Sequence, residues 1–313
     1  VDHISVQRTM DSISQNKLNA VLFSDVSVEP TDASFKDAIN FAINNNIDGF
    51  VGVGGGSSMD TAKVANLYST YPDDFMTYVN APIGKGLPIP GPLKPSIAIP
   101  TTTGTGSETT GTAVFDFKEM NAKTAIAHRA LRPLIGLIDP ENVRSIPPNV
   151  VACSGLDVLC HGLESYTAIP FHQRQKPENP GLRPSYQGSN PISDIWSLTA
   201  VKMVGAEPIG VDISQDFQME LNEIKKRVTK KTKAIILVYF TGHYKFYSGL
   251  KEFCKKNDIK IIEDCAQSFG SKIKNKLNGN FGDIACFSMN PMKVYSAFGD
   301  AGAVSTNNSK IFN

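Results

Sequence analysis

Apolar residues along this chain recur at two spacings, and the change from one to the other predicts the elements. Residues 20–23, Ala-Val-Leu-Phe, form a short apolar run that predicts a strand. Ala33, Phe35, Ala38, Ile39, Phe41 and Ala42 then make a broad helical stripe within residues 30–47. Residues 48–53 predict the next strand, and a helical pattern covers 61–67. Residues 83–95 are rich in Gly and Pro and predict an irregular loop. Residues 96–99 and 134–138 read as buried strands, 154–165 as a helix, and 171–191 as a polar, proline-rich loop. Past residue 200 the alternation restarts. Strands are predicted at 207–213, 234–240, 259–262, 284–287 and 301–305, with helices at 221–228 and 249–257. Strands alternating with helices imply an α/β fold with a mostly parallel sheet and ligands at the carboxyl ends of its strands.

Several strand ends carry chemistry. Gly54-Gly55-Gly56-Ser57-Ser58-Met59-Asp60-Thr61-Ala62-Lys63 joins a strand to a helix, an arrangement that aims free backbone N–H groups at a phosphate. A tight turn in any α/β protein is the structural alternative. The strand at 96–99 runs into Pro100-Thr101-Thr102-Thr103-Gly104-Thr105-Gly106-Ser107-Glu108. Its hydroxyls and amides suit a diphosphate, a ribose or a nicotinamide amide, or else Ser107 or Thr105 simply caps a helix. Asp157 and His161 stand one helical turn apart, a spacing that suits two positions on a divalent metal or a plain surface hydrogen bond. Farther on, Asp264 and Gln267 follow one strand end, and Ser288 and Lys293 follow another. A lysine amine beside a hydroxyl, with a remote carboxylate, suits pyridoxal phosphate; a surface lysine after a strand is the alternative.

Composition adds a seam. The 313 residues carry a formal charge of +1, which gives no hint of nucleic acid, and no apolar run reaches transmembrane length. No charged-then-apolar leader is visible at the start. The 5 cysteines are scattered without a C-x-x-C, which suggests a reducing compartment and buried thiols. Residues 1–200 hold 14 basic and 19 acidic residues, and residues 201–313 hold 17 and 11. Seventeen of the 19 prolines precede residue 200. A joint shift in charge and proline usage marks a boundary between domains, or a fusion.

Residues 1–200 resemble the iron-containing alcohol dehydrogenase family through three stretches, 54–63, 100–108 and 154–167. The wording from Tyr186 to Trp196 is similar to the hydroxyacid-oxoacid transhydrogenase branch. That resemblance implies a mitochondrial enzyme that keeps NAD bound and passes hydride from 4-hydroxybutyrate to 2-oxoglutarate. It implies cofactor contacts at Gly55, Gly56, Ser57 and Asp60 and along Thr102, Thr103 and Thr105. It also implies two ligands of a divalent iron or zinc at Asp157 and His161. The family's earlier strand and its two further metal histidines have no counterpart here, since His172 and His243 stand outside its motif.

Residues 201–313 resemble the DegT-type sugar aminotransferases of pyridoxal phosphate fold type I. The matching pieces are Gly205-Ala206-Glu207-Pro208 with Val211-Asp212, the strand before Gly242, and residues 263–270 and 279–306. By that resemblance Lys293 is the lysine that binds the cofactor, Asp264 partners the pyridine nitrogen, Gln267 lies beside the ring, and Ser288 contacts the phosphate. The implied organisation is an N-terminally truncated Rossmann-like NAD-binding region at 1–146, the incomplete start of a helical metal-binding domain at 147–200, and part of an aminotransferase large domain at 201–313. Small-molecule substrates are expected, with no nucleic acid and no membrane. Unpaired sheet edges favour a homo-oligomer or aggregation. Outside mitochondria the expected compartment is the cytoplasm. Because each part lacks pieces of its family's site, catalysis from either is expected to be weak or absent; a non-catalytic fusion, or a gene-model artefact joining two partial enzymes, stays open beside both activities.

Overall fold

The computed structural model describes residues 3–120, 122–179, 188–203, 205, 209–273, 275–289 and 302–309. The chain divides into two compact units. One takes residues 1–120 and 124–208, and the other takes 121–123 and 209–313.

In the first unit, α1 (Ile4–Gln15) precedes α2 (Asp32–Asn44), β1 (Phe50–Gly54) and α3 (Gly56–Thr70). Helix α2 starts on a reciprocal cap in which Thr31 and Ser34 each take the other's backbone N–H. Its buried stripe, Phe35, Ala38, Ile39 and Ala42, is the one that the spacing predicts. Strand β2 (Ser96–Pro100) lies parallel to β1, with Gly54 opposite Pro100. A hairpin of β3 (Thr112–Phe117) and β4 (Ala122–Ala127) follows, and β5 (Ile135–Gly136) pairs parallel with β2. Phe35, Val64, Leu67, Tyr68, Val79, Phe115 and Ile126 form the core. Helices α4 (Pro148–Thr167) and α5 (Pro191–Met203) pack on each other, where Gly162 admits Ser197 and Val201. The expected irregular loop at 83–95 is present.

Three expectations need correction. Residues 20–23 are not a strand: no described strand pairs with them, and Val21 and Leu22 are exposed while Phe23 packs on Phe41. The strand expected at 134–138 is reduced to β5 at the sheet edge. Leu134 is 75% exposed and Ile138 64%, because no described layer covers that side. The described part of 207–213 forms only a single bridge, Ile213 to Met219. The β3–β4 hairpin was not foreseen, although Ala113, Phe115 and Phe117 alternate along β3 as its buried face.

The second unit holds α6 (Leu221–Arg227), β6 (Ala234–Val238), α7 (Leu250–Lys256), β7 (Lys260–Asp264), and a two-stranded ribbon of β8 (Lys272–Ile273) and β9 (Lys276–Leu277). Strands β10 (Ile284–Ser288) and β11 (Gly302–Ser305) complete it. The sheet order is β11-β10-β7-β6, parallel except at β11. Glu263 on β7 is fully buried. Its carboxylate accepts the N–H groups of Phe281 at 2.8 Å, Gly282 at 2.7 Å and Gly279 at 3.1 Å, and the Tyr239 hydroxyl at 3.1 Å. A buried carboxylate is tolerable only with such donors. Among the described residues, no helix is long and apolar enough to cross a membrane.

The cysteines depart in part from expectation. All 5 are free; Cys254 and Cys265 are buried, but Cys153, Cys160 and Cys286 are exposed. Burial pushes the Cys265 thiol from 9.0 up to about 12 and that of Cys254 up to about 11. The folded chain therefore keeps protons that the unfolded chain loses. The second unit is fully stabilised below about pH 9 and loses stability as pH rises from about 9 to 12. Thermal unfolding across that range checks the sign. Iodoacetamide at about pH 8 labels Cys153 and spares Cys254 and Cys265 in the native protein, as peptide mass spectrometry would read. Glu263→Gln places an amide against the Gly279 N–H and costs about 1–3 kcal/mol, measured by denaturant unfolding.

Candidate functional site

The first site is built at the carboxyl ends of β1 and β2. Gly54 has φ of +148°, a conformation that suits glycine, and so turns the chain from strand to helix. Gly55 caps α3 through its backbone, with no side chain closing the helix end. The N–H groups of the first turn thus stay available to an anion. Ser57 lies in that turn, and its hydroxyl accepts the Glu29 N–H at 3.3 Å.

The threonine loop folds over this turn. Thr101 N–H donates to the Gly54 carbonyl at 2.9 Å. A Cβ on Gly55 would meet the Thr102 hydroxyl at 3.3 Å, and one on Gly56 would meet Thr105 at 3.3 Å. A Cβ at either position would press on a threonine side chain, which would have to give by a few tenths of an ångström. On its other side the loop reaches α4. Thr103 shares a 2.7 Å hydrogen bond with Ser154, and the Gly104 carbonyl lies 3.1 Å from His161 Nδ1. One loop therefore touches both the glycine turn and the Asp157–His161 pair. Sequence reasoning kept these two features separate.

His161 Nε2 stands 3.8 Å from Asp157 Oδ1, and both side chains are about half exposed. A carbonyl only accepts, so Nδ1 donates in this contact, and Nε2 is the ring nitrogen left to face a metal. Two ligands at about 2.1 Å from a tetrahedral ion stand about 3.4 Å apart. The pair therefore fits two positions on a divalent ion. Among the described residues, no cluster of three or more His, Cys, Asp or Glu is gathered for a metal.

Asp60 is engaged by donors within the protein. Its Oδ1 accepts Ser107 Oγ–H at 2.5 Å and Lys63 Nζ at 3.0 Å, and its Oδ2 accepts the Val114 N–H at 3.0 Å. This carboxylate, 9% exposed, ties α3 to the threonine loop and to β3. Ser107, considered as a helix cap, binds Asp60 instead. Lys63 received no role from the sequence. The available signal was its place three residues after Asp60, on the same helix face.

In the second unit, Asp264 closes β7 beside Cys286 of β10, and Ser288 closes β10. Asp264 Oδ1 accepts the Ala266 N–H at 3.0 Å, which leaves its second oxygen for a ligand. Gln267 follows in the turn, its carbonyl 3.5 Å from where a Cβ on Gly242 would stand. Lys293 lies outside the described residues.

Residues 2–140 match the iron-containing alcohol dehydrogenase family, and residues 192–313 match the DegT/DnrJ/EryC1/StrS aminotransferase family. The chain thus matches two enzyme families over separate stretches. Among relatives of the dehydrogenase part, the mitochondrial hydroxyacid-oxoacid transhydrogenase of Bos taurus is 58% identical over 201 residues, which is 64% of this chain and 43% of that protein. The Homo sapiens protein of the same name is 56% identical over the same shares. The chain thus spans less than half the length of these curated relatives. Among solved structures, the iron-containing alcohol dehydrogenase of Thermococcus thioreducens superposes with a TM-score of 0.55 at 28% identity, over 64% of this chain and 49% of that one. Sulfoacetaldehyde reductase of Bifidobacterium kashiwanohense, solved in complex with NAD+, gives 0.52 at 29% identity, over 64% and 47%. Both resemblances read from the sequence are therefore upheld. So is the mixed α/β class, with an iron-containing alcohol dehydrogenase fold among the structural neighbours and an aminotransferase match toward the C-terminus.

For the dehydrogenase part, Gly55→Val sets a branched side chain against Thr102 and lifts the loop. It is expected to accelerate amide exchange at residues 101–106 while far-ultraviolet circular dichroism stays unchanged; hydrogen-exchange mass spectrometry reads the change.

Proposed function

We propose that the dehydrogenase part binds NAD and transfers hydride between a hydroxyacid and an oxoacid. Its proposed donor is 4-hydroxybutyrate and its proposed acceptor is 2-oxoglutarate. The observation that carries this reading is the seating of the threonine loop on the glycine turn, joined to identity above half with the transhydrogenases. Gly55, Gly56 and Ser57 supply N–H groups to the dinucleotide diphosphate. Thr102, Thr103 and Thr105 line the cofactor, and Asp157 and His161 supply two ligands to a divalent iron or zinc. Bound NAD would supply reversible hydride acceptance, and a metal held by Asp157 and His161 would supply polarisation of the substrate oxygen. The protein's own share is orientation: Gly104 fixes the His161 ring, and Ser154 fixes Thr103 beside it.

The proposed organisation keeps the NAD-binding region at 1–146, the start of a metal-binding domain at 147–200 and the aminotransferase part at 201–313, although α5 runs across residue 200. Mitochondrial placement is proposed from the relatives. Exposed Leu134, Ile138, Ile195 and Trp196 support self-association or aggregation.

A second reading is favoured by the aminotransferase match and by Asp264 and Ser288 at neighbouring strand ends. There pyridoxal phosphate would be held by Lys293, Asp264, Gln267 and Ser288. Its visible absorbance appears on reconstitution and is lost in Lys293→Ala.

The test of the first reading is mass-spectrometric detection of 2-hydroxyglutarate from 4-hydroxybutyrate and 2-oxoglutarate, with Fe2+ or Zn2+ supplied. His161→Ala is expected to lower the rate at least 100-fold while NADH binding persists. Formation that needs neither NAD nor His161 would overturn it.

A further inference from the structure

Lys63 is only 4% exposed, and four acceptors surround its amine. They are Asp60 Oδ1 at 3.0 Å, Ser107 Oγ at 2.8 Å, Thr110 Oγ1 at 3.3 Å and the Thr112 carbonyl at 2.8 Å. Burial lowers the Lys63 pKa, and Asp60 opposes that shift. Ser107 Oγ also donates to Asp60 Oδ1. Each member of the trio thus binds the other two, which closes a triangle with no slack.

The triangle joins two segments. Asp60 and Lys63 belong to α3, the helix that opens at the glycine turn. Ser107 ends the threonine loop. The loop's other end is fixed where Thr101 bonds Gly54. Between these anchors lie Gly104 and Gly106, both at positive φ. Glycines leave a chain free to move, so the loop's shape depends on its two anchors. The Ser107 N–H also reaches Thr105 Oγ1 at 3.4 Å, which links the trio to a threonine that faces Gly56.

We propose that Lys63, Asp60 and Ser107 are positioning residues whose triangle holds Thr102 and Thr105 over Gly55 and Gly56, and so sets the geometry of the dinucleotide site. The proposal rests on the reading that the glycine turn takes NAD. In this role the three act through the loop.

Ser107→Ala in the full chain tests it, because the ion pair survives that change. Lys63→Met is a harsher companion, since it strips Asp60 of its cation. Ser107→Thr retains the hydroxyl and serves as the rescue variant. Three quantities are read: the NADH dissociation constant, amide hydrogen exchange across residues 101–110, and the unfolding midpoint. In Ser107→Ala the NADH constant rises about tenfold, as expected for a misplaced binding group. Exchange at 102–106 accelerates, the midpoint moves by only a few degrees, and Ser107→Thr restores the first two. Unchanged affinity and unchanged exchange in Ser107→Ala would overturn the proposal. If the unaltered chain binds no NADH, the NAD reading falls. The positioning role is then decided by exchange alone: faster exchange at 102–106 upholds it, and unchanged exchange overturns it.

Discussion

A buried ammonium must be surrounded, and that requirement at Lys63 organises the first unit. Stripped of partners in a site this closed, the amine would lose its proton or the fold would open. Its acceptors come from α3, from the end of the threonine loop and from the start of β3. Satisfying one charge thereby ties a helix, a loop and a hairpin together. Removing one partner of such a pair typically costs about 3–5 kcal/mol, a large share of the stability of an ordinary domain. The glycine turn and the threonine loop are brought face to face by the same tie, and the loop's far side sets the His161 ring.

The second unit solves a similar problem with the opposite sign. Glu263 is a buried anion, and the backbone of residues 279–282 supplies its donors together with Tyr239. Its neighbour Asp264 is left at the strand end with one oxygen engaged. In both units a buried charge pins a segment at the carboxyl edge of a parallel sheet, where ligands bind in α/β folds. The two charges sit in separate cores, one around Phe35 and Phe115 and the other around Tyr239 and Ile261. Each unit therefore carries the means to order its own strand ends. At the β6 edge of the second sheet, Ile236 and Val238 are each 47% exposed on one side, whereas parallel sheets are ordinarily covered on both faces.

Much of this was legible in the residues. The stripe from Phe35 to Ala42 named a helix and its buried face. Gly54 to Ser58 named the turn, because few residue types permit that backbone. The seam near residue 200 was visible in charge and proline usage. What stayed hidden depends on contacts distant in sequence. Asp60 reads as a cofactor residue from its place in the motif, and only the fold brings Ser107 and Val114 to its carboxylate. Gly104 reads as a loop glycine, and only the fold brings its carbonyl to His161. Apolar runs at 20–23 and 134–138 have strand composition but lack a described partner or cover, so composition overstated them. Glu263 reads as a polar strand residue until residues 279–282 fold back onto it.

The central claim is that two independently ordered units share this chain and that the first holds NAD at its glycine turn. Differential scanning calorimetry of the full chain, with and without NADH, tests this most directly. The account predicts two transitions, of which NADH raises one, with amide exchange locating the gain in protection within residues 50–110. A single transition, or protection by NADH that falls on residues 209–289, would contradict it.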